Sequence, residues 1–380
     1  MKVRMFSSWQ VRCGIADYSA RFMQAVNALP DTSVEIVPFD RQPHTQQEYR
    51  AWGSQLNQAD IAHIQFDYSF FDYLFPWRQK FTSLTQGIKK PLVVTRHVSF
   101  DGPLKVYEKG AEAAIHQAKW QIYQHPLNPY ATFLNKTIFE RADHIIVLTG
   151  RLKEHLLKRG LPEEKISVIP AGVKAMPVIS AADGISVRQK LGWQDKRIIG
   201  QFGFIAPPKG HMLMLDALAQ LPDDFVWLIA GGVRVPSHQA YLDELNAQMV
   251  RRGLQSRVHV TGFVEECDLP AYIAACDVMV SPNTHADFSQ SVADALAFAW
   301  CPVIASDIYG HREIAVYCPA LQLFKAGDSS DLVEAIQSAV STNNLNDLQA
   351  TMRIYREDYS WRAIAIRTRE VYEKILTQTA

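Results

Sequence analysis

The feature that most constrains this chain is an alternation that runs from end to end. Short β-branched and aliphatic runs are separated by segments with helical periodicity, the pattern of parallel sheets covered by helices. In the first half the runs fall at 2–6, 34–39, 61–65, 92–95, 144–149 and 166–170, with helical spacing over 20–29, 113–123 and 151–159. The second half repeats the grammar, with runs at 198–202, 225–230, 258–262, 278–281, 303–306 and 321–324. Its helical segments are 211–220, 239–252, 269–275, 289–299 and 330–338. Two such sets predict two doubly wound α/β domains, and 380 residues suffice for two cores. A boundary is expected after Pro170-Ala171-Gly172. The stretch Val173–Gly184, rich in Ala, Ser, Gly and Pro and without a period, suits a linker.

Composition narrows the class. With 48% hydrophobic and 21% charged residues the chain has too much apolar content for disorder. Its 39 Lys and Arg offset 39 Asp and Glu, so the basic excess of a nucleic-acid binder is missing. Residues 1–170 carry 21 basic against 16 acidic side chains, and the rest 18 against 23, a bias of the size an ordinary solvated surface carries. The five cysteines, Cys13, Cys267, Cys276, Cys301 and Cys318, are odd in number and form no C-x-x-C pair. That suits free thiols in a reducing compartment better than disulfides or a zinc site. Met1–Phe6 turns polar too soon for a secretion signal, and Ala295–Ala305, broken by Pro302, is too short to span a bilayer. A cytoplasmic protein is expected, with room for peripheral contact at the inner face of a membrane.

In open α/β sheets ligands bind beyond the carboxyl ends of strands. Three loops qualify. Ser7 to Tyr18 follows the first run and contains Gly14, where a backbone can approach a ligand ahead of a helix N-terminus. Gly203-Phe204-Ile205-Ala206-Pro207-Pro208-Lys209-Gly210 sets a lysine beside the helix that starts near His211, a place suited to a pyrophosphate. Ser281 to Val292 puts Asp287 at an expected N-cap, with the amides of Phe288, Ser289, Gln290 and Ser291 behind it. Asp287 is either a capping carboxylate or an acceptor for sugar hydroxyls. No G-x-G-x-x-G or G-K-[ST] occurs, so neither a dinucleotide fingerprint nor a P-loop is supported.

Read in order, these segments resemble a known family. Cys13-Gly14-Ile15-Ala16-Asp17-Tyr18-Ser19, Thr95-Arg96-His97 and the run Arg141 to Thr149 occur in the order seen in family 4 retaining glycosyltransferases. So do Ile169 to Val173, Gly203…Lys209-Gly210, Val260-Thr261-Gly262-Phe263-Val264, Pro302 to Asp307 and the terminal Tyr359-Ser360-Trp361. The resemblance implies a GT-B fold, two Rossmann-like domains with a cleft between them. It implies an acceptor-side domain over 1–172, a linker over 173–190, a nucleotide-sugar domain over 191–357 and a last helix, 358–380, that returns to the first domain. The implied activity is transfer of a hexose from a UDP- or GDP-linked donor to a hydroxyl acceptor, with retention and without a metal or other cofactor. The acceptor would be a sugar, a lipid-linked glycan or a small molecule.

Residue by residue, Gly14 and Ile15 match the loop lying against the donor. His97 matches the histidine that contacts the transferred sugar and, with Asp287, is implied as catalytic. Lys209 matches the basic residue on the diphosphate, and Phe263 and Val264 the segment lining the base. Two departures stand out. Phe204 replaces an arginine that the family carries after the glycine at 203, leaving Arg96, Arg12 and Arg312 as candidates to take its place. The family's paired glutamates, eight positions apart, fall on Asp287 and Ala295, with Asp294 one residue early and a candidate for the ribose. Asp17 and Tyr68, the latter in an aromatic-rich stretch, are acceptor-side candidates. A nucleotide-sugar epimerase or hydrolase of the same fold, or a degenerate sugar-nucleotide binder, are the alternatives.

Overall fold

The computed structural model describes residues 1–11, 13–40, 42–67, 70–71, 80–97, 136, 140–174, 179–286, 288–341 and 344–379. The chain divides into two compact units, Met1–Gly172 with Tyr359–Ala380, and Val173–Asp358.

The first unit holds a six-stranded sheet of β1 (Lys2–Ser8), β2 (Ser33–Phe39), β3 (Ile61–Phe66), β4 (Leu92–Arg96), β5 (His144–Val147) and β6 (Ile166–Val168). Its order is β2-β1-β3-β4-β5-β6, and each pairing is parallel. Every residue of β3, β4 and β5 is buried, as expected of strands covered on both faces. The helices are α1 (Gly14–Asn27), α2 (Gln46–Leu56), α3 (Lys80–Thr85), α4 (Gly150–Leu157) and, from the far end of the chain, α13 (Trp361–Thr379). The last helix is anchored at its start: a Cβ added to Gly172 would lie 2.5 Å from Cδ2 of Trp361. Only glycine leaves space for the indole there.

The second unit repeats the plan with β7 (Arg197–Phe202), β8 (Phe225–Ala230), β9 (Val258–Val260), β10 (Val278–Ser281), β11 (Val303–Ser306) and β12 (Leu321–Phe324). Here the order is β12-β11-β10-β7-β8-β9, again parallel throughout. Its helices are α5 (Ile185–Leu191), α6 (His211–Leu218), α7 (Gln239–Arg251), α8 (Leu269–Ala274), α9 (Gln290–Phe298), α10 (Tyr309–Tyr317), α11 (Ser329–Val340) and α12 (Leu345–Asp358).

The strand orders reverse between β1 and β3 and between β7 and β10, so each sheet has one switch point where ligands are expected. All twelve expected strands form. The stretch read as linker is more structured than its composition suggested. Residues 181–184 form a 3₁₀ turn and α5 follows, both in the second unit, and a Cβ on Gly184 would lie 2.3 Å from the amide nitrogen of Ala275. Packing against α8 overrides local composition there. The helix expected at 113–123 lies outside the described residues.

Candidate functional site

In the second unit, four loops at the carboxyl ends of the strands are held backbone to backbone. After β7, Gly203 takes φ +116° and donates its N–H to Ala230 O at 3.1 Å. Gly231, after β8, comes so close that an added Cβ would lie 1.8 Å from Gly203 O. Gly231 also bridges Gly262, beyond β9, and Ile205 N–H donates to Gly232 O at 3.0 Å. On the other side of the switch point, Thr284 N–H donates to Pro208 O at 2.9 Å, and Gly210, at φ +70°, leaves no space for a Cβ against Pro282 O. The loop that carries Lys209 is therefore clamped between the loops after β8 and β10.

Lys209 is half-buried. Its ammonium donates to Ser291 Oγ at 3.4 Å, and Ser291 Oγ lies 3.2 Å from the Oγ of buried Ser289. Ser289 precedes α9 and makes no side-chain cap bond, so the first-turn amides, with the positive end of the helix dipole, open toward the same place. Burial, and then the nearby Arg234 guanidinium, depress the Lys209 pKa below that of an ordinary lysine. Arg234 itself sits over the Phe204 ring, 4.9 Å from its centroid. Among the described residues no carboxylate pairs with Lys209. Two cations and a helix N-terminus come together here, an arrangement suited to an anion.

Arg234 was not foreseen from the sequence. It occupies the neighbourhood left without an arginine at Phe204. Arg312 is engaged with both oxygens of Asp307, Arg96 is buried in β4 of the first unit, and Arg12 is outside the described residues. Beneath the loops, Phe202, Ser281, Ser291, Val292 and Ala295 line a small recess. Phe263 is 73% exposed, and Val264 beside it is half-buried.

In the first unit, His97 follows β4 directly and its N–H donates to Phe66 O at 3.2 Å. Its ring is held by Gln65 of β3, with 2.6 Å between His97 Nε2 and Gln65 Oε1, and by the edge of Tyr18 from α1, 4.8 Å between centroids. Tyr18 in turn meets Trp361 at 5.0 Å, which ties the start of the last helix to the histidine. Burial lowers the His97 pKa to about 3, so the imidazole is neutral at physiological pH. Gly14 is exposed at the first position of α1, with nothing near the space its Cβ would take, while the Ile15 side chain packs into the core. Asp17 is exposed in the first turn of α1. Asp287 and Tyr68 lie outside the described residues.

Residues 185–356 match the family model of the glycosyl transferases group 1, and residues 11–175 that of Glycosyltransferase Family 4. The chain belongs to the family 4, group 1 glycosyltransferases. A 2-deoxystreptamine glucosyltransferase of Streptomyces kanamyceticus is 29% identical over 194 residues, 49% of this chain and 48% of that protein. A lipopolysaccharide core mannosyltransferase of Rhizobium leguminosarum bv. viciae is 26% identical over 240 residues, 60% of this chain and 65% of that one. The match thus spans about half to two thirds of these relatives' length. The fold is matched by an Anabaena protein crystallised with UDP and glucose, with a TM-score of 0.72 at 18% identity, covering 98% of this chain and 100% of the other. The architecture is GT-B, two Rossmann-like domains.

Of the two carboxylate candidates after β10, Asp294 is the one the structure describes. Asp294 Oδ1 accepts from Lys174 N–H at 3.1 Å and from Gln290 Nε2 at 2.9 Å, which fastens the start of the second unit onto α9. Ala295, one residue on, is the position that faces the recess. A helix turns each residue by about 100°, so carboxylate and recess lie on different sides of α9. No helix among the described residues is long and apolar enough to cross a membrane, and they contain no cluster of three or more metal-ligating side chains.

Proposed function

We propose that this family 4 glycosyltransferase moves a hexose from a UDP- or GDP-linked donor to a hydroxyl acceptor in glycan or polysaccharide synthesis, with retention and without a metal ion. The observation that carries this reading is Lys209, half-buried at the start of α9 and accompanied, among the described residues, by Arg234 rather than by an acid. A departing nucleoside diphosphate gains negative charge at its β-phosphate. Placed cations and first-turn amides stabilise that charge without reorganising. The names of the relatives, a glucosyl- and a mannosyltransferase, support a hexose.

In this reading Gly203, Lys209 and the amides of Phe288, Ser289, Gln290 and Ser291 hold the diphosphate. Phe263 and Val264 line the base, and Asp287 accepts from sugar hydroxyls. Gly14 and Ile15 bring backbone to the donor, His97 contacts the transferred sugar, and Asp17 and Tyr68 belong to the acceptor side. Asp294 is given no ribose contact, because its Oδ1 already serves the chain's own groups.

Calorimetric titration with UDP, GDP and ADP tests the site. One of the first two should bind, and Lys209→Ala should weaken it roughly 10- to 100-fold, the effect of losing a charge-assisted hydrogen bond. Binding should also survive EDTA. An unchanged affinity in Lys209→Ala would remove this lysine from the phosphate site. Release of nucleotide from a sugar nucleotide with no glycoside formed would favour the hydrolase or epimerase.

A further inference from the structure

A run of buried polar side chains under His97 has one consistent proton arrangement. Gln65, fully buried in β3, lies between three groups. Its Oε1 is 2.6 Å from His97 Nε2, and its Nε2 is 3.0 Å from Met5 Sδ and 3.5 Å from His63 Nε2. A thioether sulfur only accepts, so the amide N–H₂ must face Met5 and the carbonyl must face His97. Turning the amide over would set its oxygen against the sulfur and leave two acceptors in contact. A carbonyl likewise only accepts, so His97 Nε2 must carry the proton.

The same logic runs one residue deeper. His63 Nε2 is 2.8 Å from Thr95 Oγ1 and accepts from that hydroxyl, with the longer Gln65 contact beside it. Its Nδ1–H therefore donates to Tyr372 OH at 2.7 Å. Tyr372 is on α13, so the last helix helps to fix the arrangement.

We infer that Gln65 is a positioning residue, which locks His97 as the neutral Nε2–H tautomer and presents the ring's Nδ1 lone pair as a hydrogen-bond acceptor for a sugar hydroxyl. This rests on the reading of His97 as a sugar contact. Among the described residues the titratable groups packed around the ring, Tyr18 from α1 and His63 from β3, are both neutral, and Arg96 is the nearest charge along the chain. Burial favours the uncharged imidazole in the same direction. The two rings thus have different duties. His63 keeps Gln65 oriented, and Gln65 keeps His97 oriented.

The test is ¹⁵N NMR of the full chain with labelled histidine between pH 5 and 9, with His97→Asn assigning the signal. The wild-type protein should show a protonated Nε2 and an unprotonated Nδ1 at His97, constant across that range. Gln65→Leu should shift the signal toward a tautomer average. Gln65→Glu should keep the Nε2–H but let the ring titrate within the range, because a carboxylate stabilises the imidazolium. A wild-type Nδ1–H tautomer, or a Gln65→Leu spectrum like wild type, would overturn the proposal, and the first of these is read in the wild-type protein itself. With a turned-over donor, Gln65→Leu should lower kcat roughly tenfold or more while KM stays within a few-fold. The NMR readout requires no donor, so failure of the transferase reading and failure of the tautomer are told apart.

Discussion

Around His97 in the first unit the holding groups are an amide, a phenol ring and a second imidazole, all uncharged and arranged by direction. Around Lys209 in the second unit they are a guanidinium, two hydroxyls and a helix N-terminus, arranged by charge. The first environment chooses which atom carries a proton; the second chooses the sign of what can bind. One chain uses the same α/β plan twice and places different physics at the carboxyl ends of the two sheets. A proton should therefore disturb the first arrangement most, and bulk at the clamped glycines or salt the second.

Acid should have the largest effect. His63 and His97 both have pKa values lowered to about 3, chiefly by burial, against an ordinary value of 6.5. For a depressed histidine the unfolded chain binds the proton first. The stabilisation is full above pH 6.5 and is lost as pH falls toward the folded value. At pH 5 each should cost about 2 kcal/mol, less where the pair is coupled. Denaturant unfolding of wild type at pH 7 and pH 5 measures this, and His63→Gln should flatten the slope. A slope unchanged by that substitution would show His63 to be protonated, or exposed, in the folded protein.

How much of this could be read in advance follows from what each residue announces. Most of the strands are legible because a strand buried on both faces is apolar along its length, as 225–230 is. Helix α2 is not, because its residues are largely polar; its one signal was Thr45 with Glu48 three residues later, which close a capping box. Lys209 was legible from its Pro/Gly-shaped loop before a helix. Gln65 carried a signal that went unread, a polar residue inside an apolar strand run, which when buried must have partners. Arg234 carried none. Nothing in Gly231-Gly232-Val233-Arg234 says that the side chain will turn back over Phe204; the fold alone brings them together.

The next effect tests the clamp. Gly231→Ala places a Cβ 1.8 Å from Gly203 O, a main-chain atom that cannot rotate aside. The strand-end loops must separate, at a cost of about 2–3 kcal/mol. Nucleotide affinity should fall with stability, because the loop of Lys209 moves too. Chemical denaturation and titration on the same variant check both. Loss of stability with full affinity would mean that the anion site does not depend on the clamp.

The smallest expected effect is the sharpest for the chemistry. Asp294 stands near the position where family members carry a second glutamate, and spacing alone made it a ribose candidate. One of its oxygens meets Lys174 N–H and the Gln290 amide. If that is its work, Asp294→Ala leaves a main-chain donor without its acceptor and costs about 1 kcal/mol of stability. Affinity for UDP or GDP should then stay within about twofold, since a lost ribose bond would cost closer to tenfold. A tenfold loss of affinity with stability unchanged would instead put the Asp294 carboxylate on the ribose.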